Sequence, residues 1–202
     1  MQTLYLSIDV EANGECPGLH SMLSIGMAGY LRDKTLQFQY EANLLPIQDA
    51  GTTSSTMKFW DENKEAYEYV STNQRAPQDV MMELSKKIKE LRKMYKIVVI
   101  GWPINYDWQW IHYYFHRFTG SNPLGFSARC ISSYAWAVMK NESPVNKQHI
   151  LEFIDPTTAH THKALDDAKD QGMIFLNLMN HNLSVQKQRE SLWNKFTKLF
   201  RS

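Results

Sequence analysis

The run Ile97-Val98-Val99-Ile100 constrains this chain more than any other segment. Four consecutive β-branched apolar residues, closed by Gly101, read as a strand buried inside a sheet. The stretch before it, Pro77 to Tyr95, gives the clearest helix signal. Pro77 suits a first helical turn, and Val80, Leu84, Ile88, Leu91 and Tyr95 recur at helical spacing with Lys and Glu on the opposite face. A buried strand reached through a long amphipathic helix implies an α/β architecture in which helices cover the sheet.

The remaining pattern fits that frame. Leu4 to Val10 reads as a buried strand. Leu23 to Leu31 and Leu36 to Ala42 read as two more, joined through Arg32-Asp33-Lys34 as a hairpin. Leu45 to Thr56 is rich in Gly, Ser, Thr and Asp and reads as a loop, with a short helix over Asp61 to Tyr69. Further on, Trp108 to Phe118 reads as an aromatic helix stopped by Gly120, and Ala128 to Ser132 as a strand leading into a helix at Tyr134 to Lys140. Ala164 to Leu183 and a separate stretch from Gln186 onward complete the helices. The expected fold is a mixed β-sheet flanked by α-helices, in one domain spanning 1–202.

Charge and cysteine content narrow the function classes. The formal net charge of the 202 residues is +1, so any contact with nucleic acid needs a local basic patch or metal ions. Cys16 and Cys130 lack metal-type spacing, and two thiols make no disulfide framework; they read as reduced, in a cytoplasmic setting. The N-terminus has no basic-then-apolar leader, and no apolar run approaches the ~20 residues of a membrane helix, which points to a soluble protein with no membrane partner.

Carboxylates at strand and helix ends carry the chemistry. Asp9 and Glu11 stand two apart at the end of the first strand, so they share one face. Two such groups repel unless a cation lies between them, and hard divalent ions suit their oxygens. A solvated strand end is the plain alternative. Asp107 follows the Gly101-Trp102-Pro103 turn and opens an aromatic helix, where an Asp also serves as a cap or dipole partner. In His162-Lys163-Ala164-Leu165-Asp166-Asp167-Ala168, five residues of regular helix would turn His162 and Asp167 apart by about 140°. They converge only if His162 sits in the preceding loop and curls back over the helix end.

Taken together, Ile8-Asp9-Val10-Glu11-Ala12-Asn13-Gly14, Ser24-Ile25-Gly26, Tyr106-Asp107 and His162-x-Ala164-x-x-Asp167-Ala168 resemble the DEDDh exonucleases. That family includes the DnaQ-like proofreading subunits of bacterial DNA polymerases, RNase T and oligoribonuclease. The resemblance spans residues 4 to 175 and implies a ribonuclease H-like fold. One departure stands out: Pro103 occupies the position where the family often carries Asn, four residues before its second-motif Asp. Lys163 stands where a Tyr would be needed for the sister chemistry, which excludes that variant.

The resemblance implies a 3′-5′ exonuclease that releases nucleoside 5′-monophosphates from the 3′ end of single-stranded RNA or DNA. Asp9, Glu11, Asp107 and Asp167 would hold two divalent cations, Mg²⁺ or Mn²⁺, with Asp9 bridging them. His162 would take the proton of the attacking water. Asp167 rather than Asp166 fits the family spacing. By the same resemblance Ala12, Asn13, Met22 and Leu23 would pack on the terminal nucleotide. Phe59, Trp60 and Trp102 are aromatic candidates for stacking on bases. The chain leans to RNA or short oligoribonucleotides, with a DNA exonuclease of proofreading or repair as the alternative, and an inactive nucleic-acid-binding module as the reading from another class.

Other features have simpler readings. His160 and His162 lack a third ligand at zinc-type spacing. Trp110, Ile111, Tyr114 and Phe118 repeat as an ordinary core stripe. The C-terminal stretch 186–202 combines Leu192, Trp193, Phe196, Leu199 and Phe200 with Lys187, Arg189, Lys195, Lys198 and Arg201, a basic amphipathic helix. It is expected to pack on the domain with its charges outward, or to form a homodimer contact, since several family members are homodimers.

Overall fold

The computed structural model describes residues 1–140, 150 and 161–199, with side chains to residue 194. Its centre is a five-stranded sheet in the order β3-β2-β1-β4-β5. The strands are β1 (Gln2–Ala12), β2 (Met22–Tyr30), β3 (Leu36–Asn43), β4 (Tyr95–Gly101) and β5 (Ala128–Cys130). β1, β2 and β3 pair antiparallel, while β1 with β4 and β4 with β5 pair parallel. The mixed sheet expected from the sequence is therefore present, and the Ile97–Ile100 run lies inside it.

Period-two alternation divides β1 between two layers. Leu6, Ile8, Val10 and Ala12 point into the main core, where they meet Val80, Leu84 and Ile88 of α3 (Pro77–Met94) and Trp110, Ile111, Tyr114 and Phe115 of α4 (Ile104–Thr119). The other face of the sheet is covered by α6 (Ala164–Leu199), whose Ala168 and Leu176 pack with Ala28 and Tyr30. Beside it, α5 (Ile131–Met139) buries Ile131 and Ala135 with Phe175 and Leu178. Asp9 and Glu11 fall on the α6 side.

Several boundaries differ from expectation. The loop after β3 ends early: Thr53 caps a helix, its hydroxyl accepting from the Thr56 N–H, so that α1 (Ser54–Glu62) and α2 (Lys64–Ser71) replace one short helix. Helix α4 begins at Ile104, four residues sooner than the aromatic periodicity indicated, which places Asp107 inside its first turn. The two C-terminal helices are one continuous helix of 36 residues, because nothing between Leu183 and Gln186 breaks the backbone pattern.

The expectation that the last stretch packs on the domain with only its charges outward is corrected at Leu192 and Trp193, which are 66% and 65% exposed. His160, and the side chains of Lys195, Phe196, Lys198, Leu199, Phe200 and Arg201, lie outside the described residues. No helix of the described residues is long and apolar enough to cross a membrane.

Candidate active site

Two glycines let the site close. Gly26 of β2 sits opposite Asp9 in the antiparallel register, and a Cβ there would lie 2.1 Å from the backbone of Ala164. Its lack of a side chain allows the first turn of α6 to press onto β2 directly beside Asp9. Gly101, at the end of β4, would place a Cβ 2.6 Å from Ile104 and 3.2 Å from the Ile8 carbonyl. Here the missing side chain lets α4 begin against β1.

Asp107 benefits from that second approach. Its helix is capped by Pro103 without a side-chain hydrogen bond, so Asp107 does not serve as the cap. Its Oδ1 instead accepts from the Val10 backbone N–H at 3.1 Å, and the residue is only 3% exposed. A carboxylate carried on α4 is thus fixed to the strand between Asp9 and Glu11.

His162 solves the angular problem noted above by leaving the helix. It stands just before α6 with a left-handed backbone (φ 52°). Its ring meets Phe59 of α1 edge-on, 5.0 Å between centroids. Ligand atoms of Glu11, His162 and Asp167 all lie within 4.8 Å of one another. Asp166 turns away and accepts from the Thr161 hydroxyl at 3.2 Å.

Asp9, Glu11, Asp107, His162 and Asp167 all line one cleft of about 510 Å³, walled by Trp102, Pro103, Tyr106 and Ile174. The electrostatics are severe. Burial, then Asp107, Glu11 and Asp167, push Asp9 well above the usual carboxylate range, against a hydrogen bond from Gln171. Burial followed by Asp167 and Asp107 does the same to Glu11. Burial also raises Asp107, outweighing the bond from Val10. The Tyr106 phenol is pushed up to about 12, first by burial and next by Glu11. Oxygen donors crowded in this way fit hard divalent cations, whose charge relieves the repulsion.

The residues expected at the terminal nucleotide divide. Trp102 lines the cleft. Ala12 and Trp60 border an adjoining hollow with Glu11, Phe59 and Tyr106. Trp60 is 1% exposed and its indole N–H donates to the Ala12 carbonyl, so the partly buried Phe59 offers the more open ring. Met22 has no exposed surface, and Leu23 packs with Trp60, Ala66 and Val70. Asn13 spends its Oδ1 on the Ser21 N–H at 2.7 Å.

Sequence reasoning missed Asp170, Gln171 and Tyr106. Asp170 and Gln171 follow Asp167 by three and four positions, the spacing of one helical face, and that signal was available. Tyr106 is positioned by donating its hydroxyl to the Gly14 carbonyl at 3.0 Å.

A 3′-5′ exoribonuclease Rv2179c-like domain matches residues 4–179. The chain belongs to this family. It is a 3′-5′ exonuclease. The exonuclease is 29% identical over 174 residues to the 3′-5′ DNA exonuclease Cap18 of Escherichia coli, covering 85% of this chain and 89% of that one. Its fold is similar to the nuclease domain of 3′hExo, a DEDDh family member bound to rAMP, at 12% identity and a TM-score of 0.62, covering 89% of this chain and 92% of that one. E. coli exonuclease I in complex with a dA16 oligonucleotide shares the fold at the same identity and TM-score, covering 89% of this chain, which spans 41% of that larger protein. The fold is also similar, at 14% identity and a TM-score of 0.62 over 98% of this chain and 43% of that one, to a zinc-bound form of the E. coli ExoI–ssDNA complex.

Proposed function

We propose that the cleft hydrolyses the last phosphodiester bond at the 3′ end of a single strand and releases a nucleoside 5′-monophosphate. Asp9, Glu11, Asp107 and Asp167 hold two divalent cations, Mg²⁺ or Mn²⁺. When bound, these neutralise the carboxylates and polarise the scissile phosphate. His162 accepts the proton of the attacking water at a ring nitrogen, a task suited to an imidazole near neutral pH. The new bond joins water oxygen to phosphorus, and the phosphorus–O3′ bond of the preceding nucleotide breaks. Asp107, held by the Val10 N–H, keeps its position as charge builds on the phosphate.

One observation carries this reading: the carboxylates of Asp9, Glu11, Asp107 and Asp167 and the His162 imidazole, from three distant segments, face the same cleft. The family description favours RNA as substrate. A second reading, DNA, is favoured by the match to Cap18, whose name specifies DNA. The two free thiols, Cys16 and Cys130, support a reducing cytoplasmic setting.

Incubating 3′- and 5′-labelled RNA and DNA oligomers of matched sequence with Mg²⁺, Mn²⁺ or EDTA tests both points. Mononucleotide release from the 3′ end alone, abolished by EDTA and by Asp9→Ala, is expected, with faster turnover of RNA. Release from the 5′ end, or turnover in EDTA, would sink the mechanism. Faster turnover of DNA would select the second reading.

A further inference from the structure

Gln171 is 9% exposed and makes two short hydrogen bonds into the cleft. Its Oε1 accepts from the Trp102 backbone N–H at 2.8 Å, and its Nε2 donates to Asp9 Oδ1 at 2.7 Å. The orientation of the amide is determined by chemistry. A backbone N–H can only donate, so the oxygen must face Trp102 and the nitrogen must face Asp9. One side chain on α6 thereby ties the end of β1 to the turn that follows β4. Those are the elements that supply Asp9 and, through Gly101-Trp102-Pro103, lead to Asp107.

We infer that Gln171 is a positioning residue that sets the orientation of the Asp9 carboxylate for cation binding and couples it to the Trp102 turn at the substrate side of the cleft. This rests on the exonuclease reading above. Asp9 Oδ1 is engaged by a neutral donor, which fixes the plane of the carboxylate without adding charge to a pocket crowded with acids. Outer hydrogen bonds to ligating carboxylates commonly contribute ~10–100-fold in metal affinity. Since the same amide grips the Trp102 N–H, a change at Asp9 is felt at the cleft wall, and a displaced Trp102 turn is felt at Asp9.

A plain crosslink between helix and sheet would make the same two bonds, so the test must separate positioning from stability. Gln171→Leu and Gln171→Met remove both bonds at similar volume. Leu176→Ala, in the α6 face packed on Ala28 and Tyr30, weakens the same helix away from the cleft. Mn²⁺ affinity is measured by calorimetry on metal-free protein without substrate, with melting temperature and steady-state kinetics alongside.

Both Gln171 variants are expected to bind Mn²⁺ about 10–100-fold more weakly, with kcat falling by more than KM changes. Leu176→Ala is expected to lose melting temperature with Mn²⁺ affinity unchanged. If the Gln171 variants match wild type in affinity and kcat and lose only melting temperature, the inference is overturned while the exonuclease reading stands. If wild type itself neither binds Mn²⁺ nor releases nucleotides, both fall. Should the variants fail to fold, the Gln171 side-chain amide resonance of wild type, followed through a Mg²⁺ titration, decides the matter. It is expected to shift with cation binding, and an unmoved resonance overturns the inference.

Discussion

The two faces of β1 are built on opposite principles. Toward α3 and α4, Leu6, Ile8, Val10 and Ala12 are closed off from solvent by an aliphatic and aromatic core. Toward α6, the last residues of the same strand carry Asp9 and Glu11 into a cleft with Asp107 and Asp167. Burial stabilises the first face, at roughly 1.5–3 kcal/mol for each large side chain. On the second it destabilises, since each buried carboxylate loses hydration and faces like charges. A strand serves both roles because successive residues alternate sides. The apolar face holds the strand rigid, and that rigidity keeps mutually repelling groups in place.

The largest break in this comparison comes from the polar face. His162→Ala should lower kcat by roughly 10²–10⁴-fold, the usual contribution of a general base, with an unaltered circular dichroism spectrum. A loss in kcat of under tenfold would mean that the imidazole takes no part in proton transfer. On the apolar face the effect should be reversed in kind. Ile8→Ala leaves a cavity beside α4 and should cost about 2–5 kcal/mol in denaturant unfolding, while kcat/KM at a temperature well below the transition changes little.

The charge on the polar face makes a prediction about pH. Asp9, Glu11 and Asp107 have folded-state pKa values raised above the ordinary range, chiefly by burial. The folded protein therefore holds these protons more tightly than the unfolded chain does. The resulting stabilisation is complete below the ordinary carboxylate pKa of about 4 and is lost as pH rises through the raised values. Considering these groups alone, metal-free protein should melt at a lower temperature as pH increases from about 5 toward neutrality. Added Mg²⁺ should reverse that fall, and Asp9→Asn should flatten it while abolishing turnover. A melting temperature that rises over this interval in metal-free protein would contradict the account. The smallest effect belongs to neither face: Leu192→Gln, at an exposed position near the end of α6, should change stability by no more than about 0.5 kcal/mol.

Much of the site was legible because each motif has a local cause. Asp9 and Glu11 share a face by strand period alone, and the five-residue gap between His162 and Asp167 required that His162 leave the helix, as its left-handed backbone does. Helix starts were less legible. The aromatic stripe of α4 indicated Trp108, but the helix begins at Ile104 because the turn after Gly101 delivers the chain directly against β1. Met22 and Leu23 follow the same logic in reverse. Family spacing placed them near the nucleotide, whereas Met22 has no exposed surface, its backbone N–H donates to the Tyr114 hydroxyl at 2.7 Å, and Leu23 packs with Trp60, Ala66 and Val70.

By itself, the sequence determined the alternation of β1, the α/β class of the sheet and the identity of the acidic and imidazole groups, since periodicity and residue type are local properties. Only the tertiary structure decided which groups meet. The Val10 N–H fixes Asp107, Gly26 admits the start of α6 beside Asp9, and Gln171 reaches across to both Asp9 and Trp102. These contacts join residues up to 162 positions apart. They depend on how closely backbones approach and on which hydrogen-bond donor finds which acceptor, and no spacing along one strand or helix encodes that.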